Sequence, residues 1–171
     1  MPATAAPAST PTRGAAARLV RAGLATAIAD GLFSSVLAAA FYGSTVTRLF
    51  QGVASTVLGP AALDGGAATA LLGVLMHFGV AFAWSAAFLL LVARSGRVRG
   101  VLGSRFGVLK VAAVYGPVVW MVMSLAVVPL LTRRPPTFGY RWWVQFFGHV
   151  PFVGVPIVAG AWNGFAPAAE R

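Results

Sequence analysis

Asp30 stands in a stretch that carries no other charge between Arg21 and Arg48. Thr26 and Ser34 flank it at i−4 and i+4, which on a helix makes one polar stripe. The chain has two histidines, and each sits in a long uncharged stretch, His77 between Asp64 and Arg94 and His149 between Arg141 and Glu170. An imidazole changes charge near neutral pH, and beside an intramembrane carboxyl it makes a proton-relay element. Gln145, one turn before His149, and Asn163 beyond it give that segment a polar stripe too. Asp30, His77, His149 and Gln145 are therefore the candidate site. The plainer alternative is interhelical glue, with a protonated Asp30 bonding a carbonyl or hydroxyl at roughly 0.6–2 kcal/mol per bond.

The elements that carry these residues follow from composition. The 171 residues are 58% hydrophobic and 9% charged, with mean hydropathy +0.83, whereas a soluble domain is about a quarter charged. The gaps between charges are long enough to cross a hydrocarbon core about 30 Å thick, which needs about 20 helical residues. Four spans are expected, at about 20–43, 67–93, 108–131 and 142–163. Segments such as Ala81 to Val92 are apolar on every face, which excludes the alternating pattern of a β-barrel. The fold class is all-α, a polytopic membrane protein with four transmembrane helices in a bundle. Counted along the spans, Asp30, His77 and His149 lie about 13, 16 and 12 Å inside, near the midplane.

Thirteen basic against three acidic residues could suggest nucleic acid, but the basic residues flank spans rather than line one face, and no nucleic-acid partner is expected. With both termini inside, cytoplasmic segments hold nine basic residues and outer ones four, as the positive-inside rule requires. The expected location is the inner membrane, N-in and C-in. Arg94, Arg97, Arg99 and Arg105 could meet anionic head groups, although their default role is topological. The apolar run from Gly23 followed by Ala38 to Ala40 resembles a leader with a cleavage site, but Asp30 within it favours a permanent anchor. Residues 1–17 read as a disordered cytoplasmic tail, 18–165 as the membrane domain, and 166–171 as a short cytoplasmic tail.

Between spans one and two, Val46, Leu49, Phe50, Val53 and Val57 recur at helical spacing, opposite Thr47, Arg48, Gln51, Ser55 and Thr56. This predicts an amphipathic helix in the outer interface; the alternative is an extension of span one. Small residues at Gly23, Ala27 and Gly31, and at Gly79, Ala83 and Ala87, mark two expected packing faces. Gly148, Pro151, Gly154 and Pro156 are expected to break span four twice, next to His149. Tyr115, Trp120, Met121 and Met123 are expected to fill the core of span three.

The segments Phe50 to Ser55, Leu58-Gly59, Gly65-Gly66, Gly73 to His77 and His149 to Ile157 together resemble a family of small, uncharacterised bacterial four-helix integral membrane proteins. The resemblance covers 20–162 and implies topology without an activity. Without cysteines, thiol chemistry is excluded, and no paired carboxylates, nucleophile elbow or metal-ligand run argues for an enzyme. The leading expectation is a non-catalytic scaffold or accessory membrane protein, in a homo-oligomer or with a membrane-protein partner. The second is proton-linked or small-solute transport through the midplane Asp/His cluster. The third is a b-type haem protein with His77 and His149 as axial ligands; otherwise no cofactor is expected.

Overall fold

Pro11 opens the first helix, at the position where a missing N–H costs nothing. The computed structural model describes residues 11–162, which contain six helices and no strand. Helix α1 (Pro11–Val36) continues through a π-helical turn, Leu37–Phe41. The expected disordered tail is thus helical from residue 11. Its alanines are strong helix formers, a local preference that an expectation based on burial overlooks. Residues 1–10 and 163–171, with Asn163 and the expected C-terminal tail, lie outside the described residues.

Gly43, at φ +59°, turns the chain, and the Thr45 hydroxyl caps α2 (Val46–Leu58) by accepting from the Arg48 N–H at 3.0 Å. The amphipathic helix is therefore a separate element, not an extension of α1. Gly59, at φ +78°, ends it before a 3-10 turn, Pro60–Asp64. Helix α3 spans Gly66–Arg94, a short α4 covers Gly96–Leu102, α5 spans Gly107–Thr132 and α6 spans Tyr140–Trp162. Helices α1, α3, α5 and α6 are each long and apolar enough to cross a membrane. The chain is a multi-pass membrane protein. Its connections define two ends, an α4 end and an α2 end.

Helix α6 does not break. It runs through a π-helical turn, Val150–Gly154, as α5 does at Met123–Val127. The wider turn absorbs the ladder bond that Pro151 cannot make, so the helix continues where two breaks are expected.

Small residues decide which faces meet. The position of a Cβ on Gly116 is occupied by the His149 carbonyl, on Gly154 by the Ala112 carbonyl, and on Gly160 by the Ala22 backbone. Gly23 receives the Phe82 ring and Gly31 the His77 ring, so the expected stripe on α1 does pack. The stripe on α3 does not. Gly79, Ala83 and Ala87 lie on the outer side, with nothing near Gly79, and α3 packs through Gly73, Ala81, Ser85, Phe88 and Val92 instead. On α1, Val20, Leu24, Ile28, Leu32 and Val36 form an exposed apolar stripe. Large apolar groups facing outward and small ones inward suit lipid as solvent.

The apolar core lies toward the α4 end, where Phe88, Val92, Leu102, Ala112, Val119, Val153, Ile157, Val158 and Ala161 are buried together. The Tyr115 hydroxyl donates to the Trp84 carbonyl at 2.7 Å, tying α5 to α3. Tyr115→Phe is expected to cost about 1 kcal/mol, read as a shift in the unfolding midpoint in mixed micelles. The loop arginines are not equivalent either. Arg99 bonds the carbonyls of Val92 and Ala93 at 2.6 and 2.9 Å, capping α3, although it is exposed like Arg94, Arg97 and Arg105.

Candidate intramembrane site

The stripe Thr26, Asp30, Ser34 on α1 turns inward because Gly23, Ala27 and Gly31 bring the same side of the helix against α3. There the His77 Nε2 lies 2.9 Å from the Ala27 carbonyl. A carbonyl only accepts, so Nε2 carries the proton. Nδ1 then faces Asp30 Oδ2 at 3.9 Å, and any further proton of the pair belongs to Nδ1 or to the carboxyl. Each of these two side chains is 16% exposed. They form a partly exposed pair between two helices long and apolar enough to cross a membrane, where a lone charge is costly.

His149 lies near this pair. Its Nδ1 donates to the Gln145 carbonyl at 2.7 Å, and its ring packs on Trp120 with centroids 4.8 Å apart. Asp30 lies within Coulomb range of both histidines. Gln145 Nε2 donates to Ser34 Oγ at 3.3 Å, which joins α6 to the stripe on α1. Asp30 and His77 are thus adjacent, His149 is within electrostatic reach, and Gln145 bridges to the residue one turn from Asp30.

These groups line one cavity of about 920 Å³, in the upper part of the range for small-molecule sites. Its walls include Met76, Val80, Trp84, Val119, Trp120, Met123, Trp142 and Val153. The exposed segment Arg134 to Thr137 forms its rim at the α2 end, and the apolar core closes it toward the α4 end. Among the described residues, four buried polar atoms of its lining have no hydrogen-bond partner: Thr26 Oγ1, Asp30 Oδ1, Gln145 Oε1 and Trp120 Nε1. Each such group costs about 1–3 kcal/mol when left unpaired. The Asp30–His77 pair keeps 16% exposure on each side chain, so it is the polar part of this lining that a bound molecule or water can reach.

Two features are not legible in the sequence. Trp120 and Ser124 line the cavity rather than fill a core, whereas Met123 lines it and also packs against the core, and Tyr115 packs against Phe88 in the core as expected. Helix α2 roofs the cavity with Leu49, Phe50 and Val53. It crosses α3 where the Phe50 carbonyl takes the Cβ position of Gly73, seven residues or about 10 Å inside that span. The Gln51 side chain then bonds the Gly66 carbonyl at 3.0 Å. Phe50, on the apolar face of an amphipathic helix, is the available signal; its depth is not.

The donor set does not suit two-fold axial ligation of a haem. His77 has one nitrogen on the Ala27 carbonyl and the other toward Asp30. Among the described residues, no group of three His, Cys, Asp or Glu is placed to hold a metal ion. No family model, no curated protein and no solved structure matches this chain.

Proposed function

We propose that this protein binds a small solute in the intramembrane cavity and moves it in exchange for, or together with, a proton carried by Asp30 and His77. The reading rests on one observation: the Asp30–His77 pair, each side chain 16% exposed, lies in the lining of a single cavity whose polar residues come from several helices. In a scaffold whose polar groups serve only as glue, those groups would be bonded to one another. The bonds from His77 to Ala27 and from Gln145 to Ser34 are glue of that kind, and they leave the scaffold as the competing reading. The proposed setting is the inner membrane with both termini in the cytoplasm and the cavity mouth outside. Arg94, Arg97 and Arg105 would then meet anionic head groups, at about 1 kcal/mol each.

The test is proton uptake by vesicles that carry the protein and enclose a pH-sensitive dye, after a step in external pH and with the membrane potential clamped. Uptake faster than in protein-free vesicles is the expected result. Equal rates with and without protein would favour the scaffold.

A further inference from the structure

The cavity also carries information about the solute. Among the described residues, Asp30 is the only acidic side chain that lines it, and its Oδ1 has no partner. Thr26 Oγ1, one turn before it, and Gln145 Oε1, held one turn beyond it through Ser34, are two more oxygens without partners. The rings of Phe50, Trp84, Trp120 and Trp142 line the same cavity, and aromatic faces attract cations. The remaining walls are largely aliphatic or thioether.

Resting on the function proposed above, we infer that the ligand is a small lipophilic amine, bound as its ammonium ion with the charge at Asp30 and the apolar body among the aromatic walls. An ammonium has donors only, which suits the Asp30 carboxyl, while the unpartnered Trp120 N–H is left to water. A carboxylate or phosphate would meet Asp30 with like charge.

Proton and amine then compete for one carboxyl. When the ammonium binds, a proton held on Asp30 or His77 leaves by the mouth, so charge stays balanced and binding tightens as pH rises. The other titratable or charged groups facing Asp30 are His77 on α3, His149 on α6 and, at the rim, Arg134. Protonation of either histidine repels the ammonium, so these effects act in the same direction.

The experiment is equilibrium dialysis of radiolabelled 2-phenylethylamine against the full chain in detergent, with 2-phenylethanol as the neutral analogue. The wild-type protein is expected to bind the amine about 10-fold or more tighter than the alcohol, the scale of one hydrogen bond to a charged group. The amine affinity should be higher at pH 8 than at pH 6. Asp30→Asn should bring the amine down to the level of the alcohol. Gln145→Leu, which leaves the charge in place, should weaken the amine several-fold and the alcohol less. Equal binding of the two ligands to wild-type protein overturns the inference without recourse to any variant. If the protein conducts protons but shows no saturable amine binding, the ligand class is wrong and the proposed function stands; if neither is seen, both fall.

Discussion

Asp30→Asn is expected to reduce proton movement through the reconstituted protein to the leak of protein-free vesicles, a loss of about 100-fold or more, the scale of removing a positioned proton donor or acceptor. The substitution keeps the size and shape of the side chain. It removes the one carboxyl that faces His77 at 3.9 Å, and an amide does not titrate. Folding should survive, because Asp30 Oδ1 makes no hydrogen bond and the Oδ2 contact is a long one. A stability change within about 2 kcal/mol is expected, the upper end for a polar contact between membrane helices. Asp30→Glu should retain part of the flux, since the carboxyl remains within reach of the imidazole. Undiminished flux in a correctly inserted Asp30→Asn protein would remove Asp30 from the mechanism.

The second large effect is structural. Gly116→Ala is expected to destabilise the bundle by about 3 kcal/mol, the upper part of the usual range for overpacking. The new methyl would meet the backbone carbonyl of His149, which cannot rotate away as a side chain can. Relief requires α5 and α6 to separate at the level of the site, so flux should fall with stability. Gly79→Ala is the control. It has no neighbour within 4 Å, and replacing glycine within a helix should stabilise it by up to about 1 kcal/mol. Unfolding in mixed micelles of increasing denaturing-detergent fraction measures both. Equal midpoints for the two variants would mean that the close approach of α5 and α6 at Gly116 does not bear on stability.

Both predictions use residues whose types are plain in the sequence but whose neighbours are not. Gly79 and Gly116 look alike along the chain: each sits amid apolar residues of a long span. One faces outward and the other meets a carbonyl. The difference is rotation about the helix axis, and a span that is apolar all round has no polar face from which that rotation could be read. For the same reason the stripe Gly79, Ala83, Ala87 reads as a packing face although it lies outside.

The sequence by itself determined four helices long and apolar enough to cross a membrane, and how far along its helix each of Asp30, His77 and His149 lies. Hydrocarbon tolerates few charges, so the charged residues mark the span ends and the rise of a helix converts residue counts into depth. It also determined that Asp30 shares a stripe with Thr26 and Ser34, because helical periodicity is local. Tertiary structure decided the rest. Gly23, Gly31 and Ala27 admit the Phe82 and His77 rings, and that contact turns Asp30 toward His77. Gly73 lets the backbone of α2 sink onto α3 and roof a cavity that interfacial periodicity alone would leave open. Depth is one coordinate, set by solvation. Rotation and close approach depend on which small residue meets which backbone, and that exists only once the helices are packed.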